Sequence, residues 1–182
     1  RLFFHNSYEL RRMLASFRAN LVYTMDLDRL ADDTLGILLN GLDTERACLL
    51  VPDAITSDFV ARFTAQQEGK DGPVELRVHP DSPLVALLRR EAQVIRVELL
   101  ETFPEAKGLR AKEKDDLRVQ GVSLLCPMIS RGELVGILAL GEKMSGVDYS
   151  TEEIDVLLTM ASGAALALDN AEVMDNLRHQ QR

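Results

Sequence analysis

The feature that most constrains the fold is a pair of apolar segments joined by a short polar turn. Apolar residues run through residues 122–129 and again through 134–140, and residues 130–133 join them. Gly132 in this turn readily adopts the positive φ that a tight hairpin requires. Both segments are apolar on both faces, whereas a strand with one face in water would alternate apolar and polar residues. The pattern therefore predicts a hairpin in the middle of a sheet that is covered on both sides.

Composition limits the class of protein. The chain has 182 residues, of which 46% are hydrophobic, and this is enough for one domain with a core and helical extensions. The net charge of −8 disfavours nucleic acid or an anionic membrane as a partner. No apolar run approaches the roughly 18 residues that span a bilayer. The two cysteines lie in apolar segments, which favours reduced core residues in a cytoplasmic protein.

The chain has no initiator Met and no signal peptide, so we expect a fragment of a longer protein. Its N-terminal part predicts two helices. The first covers residues 8–25 and carries an apolar stripe with spacings of four, three and four. That stripe consists of Leu10, Leu14, Phe17 and Leu21. Asp26 is the expected N-cap of the second helix, which should end at Gly41.

The middle of the chain predicts short strands and one short helix. Strands are expected at residues 47–51, 59–66, 74–78 and 94–97. Ser82 and Pro83 form a helix-start signal, with Ser as the N-cap and Pro at the first helical position. Residues 98–116 are charged and show no clear period, so we expect a mobile segment that could act as a lid.

The last helix has a marked beginning. Ser150 and Glu153 have the spacing of a capping box, and Tyr149 and Ile154 have the spacing of a hydrophobic staple. We expect this helix to run to Arg182. Strands in runs, with helices at both ends, predict an α+β fold in which terminal helices pack on one face of an antiparallel sheet.

The segment that starts at the hairpin resembles the C-terminal half of a GAF domain, the small-molecule-sensing module of bacterial signalling proteins. The resemblance rests on Pro127, the Arg131–Gly132 turn, residues 134–138 and 141–143, Ser145, Gly146, Tyr149 and the Ala/Leu-rich helix. It implies a GAF-like central antiparallel sheet of five to six strands, with terminal helices on one face and a ligand pocket on the other. We expect a signalling helix over residues 1–25, the sensor domain over 26–170 and a helix extension over 171–182. That extension would lead to an output domain such as a histidine kinase, a diguanylate cyclase or a phosphatase.

The sequence offers no catalytic constellation. His5, His79 and His179 lie far apart, and no motif for a metal or a nucleophile is present. We therefore expect no enzyme activity in this fragment and no required cofactor. A cysteine-dependent reductase of methionine sulfoxide, known among relatives of this fold, is a minor alternative because the chain has only two cysteines.

Some GAF domains bind cyclic nucleotides and carry an Asn-Lys…Phe-x-x-x-Asp-Glu signature. Lys143 is identical to that signature, whereas Glu142, Tyr149, Glu153 and Ile154 depart from it. Cyclic-nucleotide binding is therefore a less favoured alternative, and we expect these positions to serve as scaffolding.

We predict the ligand pocket on the sheet face opposite the terminal helices, beneath residues 83–90 and 98–116. The candidate lining residues are Phe59, His79, Leu84, Val85, Leu88, Val97, Leu117, Arg118 and Cys126.

The apolar stripes on the terminal helices predict a homodimer, because such stripes rarely remain exposed. The candidate interface residues are Leu10, Leu14, Phe17, Leu21, Leu166, Asn170, Val173 and Leu177. Asn170 would set the register of a helical bundle. The main alternative to a sensor is a structural dimerisation module with no ligand.

Overall fold

The computed structural model describes residues 2–21, 26–70 and 72–180; within them, side chains are described for 7–21, 26–70 and 72–170. Six strands form one antiparallel sheet in the order β3-β2-β1-β6-β5-β4. The strands are β1 (Arg46–Pro52), β2 (Phe59–Gln66), β3 (Arg77–Val78), β4 (Ile95–Arg96), β5 (Leu124–Ser130) and β6 (Glu133–Leu140). The helices are α1 (Leu2–Leu21), α2 (Leu27–Gly41), α3 (Pro83–Glu91), α4 (Ala111–Val119) and α5 (Thr151–Gln180). The α+β prediction is confirmed.

The predicted hairpin is strands β5 and β6, and it lies inside the sheet. Ser130 pairs with Glu133 across a two-residue turn, in which Arg131 and Gly132 have φ values of 54° and 78°. Positive φ at both central residues is the requirement of a type I′ turn, whose twist matches that of the strands. Strand β6 lies between β1 and β5. Side chains of the hairpin are buried in cores on both faces of the sheet, as its sequence predicts.

The first face of the sheet packs against the terminal helices. Helices α1, α2 and α5 contribute buried side chains to one core with β1, β5 and β6, and we call it the first core. The Asp26 side chain accepts a hydrogen bond from the Asp28 N–H group, which confirms it as the N-cap of α2. Leu157, Ala161 and Leu168 of α5 are buried in this core. None of the helices in the described part of the chain is long and apolar enough to cross a membrane.

The second face packs against α3, α4 and two 3₁₀ helices, Val97–Thr102 and Pro104–Gly108. We call these four elements the cover. The side chains that are buried between the cover and the sheet form the second core. The expectation of a mobile loop over residues 98–116 is wrong. Leu100, Phe103, Ala106 and Leu109 recur every third residue and pack into the second core. Three residues per turn is the period of a 3₁₀ helix, which a search at 3.6 residues does not detect.

Helix α1 belongs to the folded domain, which corrects the prediction that its stripe faces a second subunit. Leu10 and Phe17 are buried in the first core of the same chain, while Leu14 and Leu21 are half-buried against it. The close approach depends on Gly163 in α5, where an added Cβ would lie 3.2 Å from the Phe17 ring. The missing side chain makes room for α1. Residues 22–25, the expected end of this helix, lie outside the described residues.

The position of α1 can be tested with Phe17→Ala. Because this ring is buried between α1 and α5, its removal should lower the free energy of unfolding by about 3 kcal/mol or more. Tyr8 is an exposed aromatic residue on the same helix, and Tyr8→Ala should cost less than about 0.5 kcal/mol. Denaturant midpoints of the two variants provide the comparison. Equal midpoints would mean that α1 does not pack on the domain.

Candidate functional site

The structure places most of the predicted pocket residues in the second core, on the expected face of the sheet. Its members among them are Phe59, Leu84, Val85, Leu88 and Leu117. They are buried against one another and against the strands rather than arranged around an open pocket. The face is therefore the predicted one, but the apolar side chains of the sheet and the cover are in direct contact.

Cys126 lies on the other face of the sheet, which corrects its assignment to the pocket. It is fully buried in the first core with Leu124 and Met128, whereas Leu125 belongs to the second core. Successive side chains of a strand point to opposite faces, so residues 124, 126 and 128 must share one face. The sequence shows that residues 124, 126 and 128 share one face. The packing of α5 on that face shows that it is the face opposite the predicted pocket.

His79 lies at a small cavity of about 150 Å³ beside the N-terminal part of α4. We call it the His79 cavity. Its lining residues are Asp58, Arg77, His79, Arg110, Lys112, Glu113 and Asp116. His79 is exposed, and its Nδ1 accepts a hydrogen bond from the Asp81 N–H group at 3.1 Å. A neutral His79 ring in this contact therefore carries its proton on Nε2.

Glu113 is the buried residue of this cavity, and sequence reasoning missed it. Its carboxylate accepts a 2.7 Å hydrogen bond from the Ser82 hydroxyl, and both side chains are buried. The same Ser82 oxygen accepts the Leu84 N–H group as the predicted N-cap of α3. The contact joins α4 to the start of α3. Glu113 lies in a highly charged segment, where one carboxylate is indistinguishable from its solvated neighbours.

Val97 and Arg118 lie at a second cavity of about 340 Å³, which we call the junction groove. Its lining residues are Arg96, Val97, Glu98, Arg118, Gly121, Val122, Ser123, Leu124, Glu142, Lys143, Gly146, Val147, Asp148 and Tyr149. The groove lies between the C-terminal end of α4 and the loop that precedes α5. Arg96 Nη2 donates to the Tyr149 carbonyl at 2.8 Å, which ties β4 to that loop.

A buried polar network fixes the start of α5 to the sheet. The Tyr149 hydroxyl donates to the Gly141 carbonyl at 2.6 Å and lies 2.7 Å from Thr44 Oγ1. Burial is the main cause that raises the Tyr149 pKa to about 12, so this hydroxyl stays protonated at neutral pH. The predicted capping box is confirmed by the Ser150 N–H bond to Glu153 Oε1 at 2.9 Å and the Glu153 N–H bond to Ser150 Oγ at 3.1 Å.

Lys143 and Glu153 form an ion pair that is largely shielded from water. Lys143 Nζ lies 2.8 Å from Glu153 Oε2 and 3.1 Å from Oε1. Lys143 and Glu153 occupy two positions of the cyclic-nucleotide signature, and Tyr149 occupies a third. In this chain all three make contacts within the protein, which agrees with their predicted role as scaffolding.

The candidate interface on α5 is only partly described. Leu166 is 52% exposed and Asn170 is also exposed. The side chains of Val173 and Leu177 lie outside the described residues, although the helix backbone continues to Gln180. Residues 181–182, the expected last residues of this helix, also lie outside the described residues.

The two cysteines are separated by the sheet. Cys48 is in the second core and Cys126 in the first, and both are free thiols. Desolvation by burial raises the pKa of Cys48 to about 12 and also raises that of Cys126, which keeps both in the unreactive thiol form. Among the residues that the structure describes, no cluster of His, Cys, Asp and Glu could hold a metal ion.

Comparison with known proteins agrees with this architecture. The GAF domain family model matches residues 24–169, and the chain belongs to the GAF family. GAF domains are sensory modules of signalling proteins. No curated protein sequence is similar enough to count as a match.

Three solved structures illustrate the range of proteins that share the fold. The GAF domain of a phosphoenolpyruvate-protein phosphotransferase from Coxiella burnetii has a TM-score of 0.69 at 18% identity, over 94% of this chain and 99% of that one. A GAF domain/HD domain protein from Geobacter sulfurreducens has a TM-score of 0.63 at 20% identity, over 82% and 95%. Free methionine-R-sulfoxide reductase from Neisseria meningitidis has a TM-score of 0.63 at 12% identity, over 91% of each. At these identities the likeness shows the fold alone.

Ser150→Ala tests the network at the start of α5. Loss of the N-cap should lower the free energy of unfolding by about 1 kcal/mol. Ser162→Ala is the matched control, because Ser162 is exposed within the same helix and bonds only the Leu158 carbonyl. That variant should be neutral or slightly stabilising, since Ala is the better helix former. Denaturant unfolding of both variants gives the difference, and equal values would remove the capping box from this account.

Proposed function

We propose that this chain is the regulatory small-molecule-sensing module of a bacterial cytoplasmic signalling protein, and that it transmits to an output domain through dimeric helices. Family membership supports the sensory role. The sheet also has two separate sets of covering elements, one formed by the terminal helices and one by α3, α4 and the two 3₁₀ helices. A ligand can therefore act on one set without unfolding the other.

The weak attachment of α4 is the observation that carries the proposal. Of its nine residues, only Glu113 and Leu117 are buried. Elements with few buried apolar contacts open at lower free energy than the global unfolding of the domain. Displacement of α4 would open the second core, which is apolar and lies on the face where we predict the ligand. The packed arrangement is then the closed state of this equilibrium.

The junction groove supplies a path from α4 to α5. Arg118 near the end of α4 and Lys143 and Tyr149 in the loop before α5 line the same groove. Lys143 also binds Glu153 in the first turn of α5. Movement of α4 would therefore change the surroundings of residues that hold the start of the output helix.

The dimer contact that we propose lies on the C-terminal part of α5. Leu166 and Asn170 are exposed there, and Val173 and Leu177 continue the stripe at spacings of three and four. An apolar stripe on a long helix, with Leu166 exposed at its start, favours pairing with its copy across a two-fold axis. Residues 171–182 then form the extension toward the output domain, and α1 braces α5 within each subunit.

The dimer is tested by analytical ultracentrifugation over a wide range of concentration. The chain should sediment as a dimer, and Leu166→Asp should shift it to a monomer without lowering its unfolding midpoint, because a charge would then lie in the apolar seam. Thr159→Asp places the same charge at an exposed position earlier in α5 and should leave the dimer intact. A monomer at every concentration, or equal effects of the two variants, would refute this contact.

The sensing step is tested by thermal-shift measurements with a metabolite panel, together with native mass spectrometry. We expect a compound that raises the melting temperature of the chain and is retained at one molecule per subunit. Leu117→Ala should increase its affinity, because weaker attachment of α4 lowers the cost of opening. Leu157→Ala removes an equally buried leucine from the first core and should not increase it.

The structural dimerisation module remains the second candidate, because the second core is packed and not open. If no compound changes the melting temperature of the parent chain or of Leu117→Ala, this candidate replaces the sensor.

A further inference from the structure

The buried carboxylate of Glu113 has a hydroxyl group, and not a cation, as its hydrogen-bond partner. The residue is 9% exposed, and its carboxylate accepts a hydrogen bond from the neutral Ser82 hydroxyl at 2.7 Å. Within the described part of the chain, Glu113 makes no ion pair. A buried carboxylate with one neutral donor is costly, whereas a polar side chain without a charge could cap the same contact. Departures of this kind from the rules of stability are typical of functional positions.

The cations that would suit Glu113 line the same cavity but are not bound to it. Arg77 Nη1 lies 2.6 Å from Asp58 Oδ2, and this ion pair balances the charge of Arg77. Arg110 and Lys112 form no ion pair with any residue that the structure describes. Asp116 is the remaining carboxylate of the lining. Three Arg and Lys side chains thus balance three carboxylates, and departure of Glu113 would leave an excess of positive charge.

We propose that the His79 cavity is a binding site for a small organic anion, whose carboxylate or phosphate group replaces Glu113 on the Ser82 hydroxyl and so releases α4. The proposal rests on the sensing function proposed above, because it names the class of ligand for that step. The replacement exchanges one anionic acceptor for another, so the Ser82 hydroxyl keeps a hydrogen bond throughout. Glu113 moves into water, where its charge is solvated.

A neighbouring groove indicates what the rest of the ligand is like. This edge groove has a volume of about 420 Å³ and shares Arg77, Lys112 and Asp116 with the His79 cavity. Its other lining residues are Val60, Ala61, Val74, Glu75 and Leu76, most of which are apolar. A short hydrocarbon body attached to a single anionic group would match both spaces.

Release of Glu113 has a direct mechanical consequence. Once its carboxylate leaves Ser82, Leu117 is the one side chain of α4 that remains buried in the second core. Binding and opening are therefore coupled, since the ligand binds the open state and Glu113 competes for the same hydroxyl in the closed state. Binding of the anion and displacement of α4 therefore report on one equilibrium.

The test uses the whole 182-residue chain at constant ionic strength, titrated with inorganic phosphate and with straight-chain monocarboxylates from acetate to hexanoate. Calorimetry gives the affinities, and hydrogen exchange reports on residues 111–119. Hexanoate should bind more tightly than acetate because of the edge groove. The phosphate titration shows whether the site also takes a phosphate group. Binding should raise the exchange rate of α4 amides.

Three variants separate this mechanism from general charge effects. Glu113→Gln keeps an acceptor for Ser82 but removes the competing charge, so the affinity for the anion should rise about tenfold, a typical scale for coupled equilibria. Lys112→Gln should lower the affinity by a similar factor. Asp115→Asn removes the same charge as Glu113→Gln from an exposed position of α4 outside the lining, and should change the affinity less than about twofold.

The possible outcomes decide between this inference and the function on which it rests. Equal affinities in Glu113→Gln and Asp115→Asn, or anion binding with no change in α4 exchange, would overturn the inference. If Glu113→Gln does not fold, an unchanged affinity in Lys112→Gln has the same meaning. If the anions fail but another metabolite raises α4 exchange, the inference falls and the sensing function stands. If no compound affects α4 even in Leu117→Ala, both fall.

Discussion

The structure depends on a hairpin that is apolar on both faces. Strands β5 and β6 lie inside the sheet, so each face needs its own covering elements. On one face, α1, α2 and the long helix α5 form a continuous core. On the other, the covering elements are short, and α4 contributes only Glu113 and Leu117 to the buried side chains. The two faces therefore differ in how firmly they are covered, and the sensing step that we propose depends on this asymmetry.

The start of α5 lies where these two halves of the molecule meet. Tyr149 and Thr44 hold the loop before the helix to the sheet, and the Lys143–Glu153 ion pair holds the first turn to the loop. The same loop lines the junction groove beside α4. A buried polar network with every member bonded is rigid, and the transmission that we propose requires it to pass a displacement at the groove to the helix as a whole.

Much of the fold followed from local sequence signals with a physical basis. The type I′ turn, the N-caps at Asp26 and Ser82 and the capping box at Ser150 all depend on a few neighbouring residues. The predictions that failed concern residues whose partners are distant in sequence, or a segment whose apolar residues repeat with an unexpected period. The burial of Phe17 needs the missing side chain of Gly163, which is far away in sequence.

The candidate site was the less predictable part. The sequence predicts the correct face of the sheet but places Cys126 on it against the strand alternation. It predicts a mobile segment over residues 98–116, partly because residues 100–109 have a period of three. Glu113 could not be singled out, because only the folded chain shows which of many carboxylates lies against Ser82.

Native-state hydrogen exchange in low concentrations of denaturant tests the central claim most directly, since it measures the free energy of opening for each element. The account predicts that amides of α4 exchange through a partial opening of low free energy. Amides of β5, β6 and the first turns of α5 should exchange only with global unfolding. If α4 instead opens at the same free energy as β6, the two faces form one cooperative unit. Helix α4 would then not open separately from the rest of the domain, and the account would be contradicted.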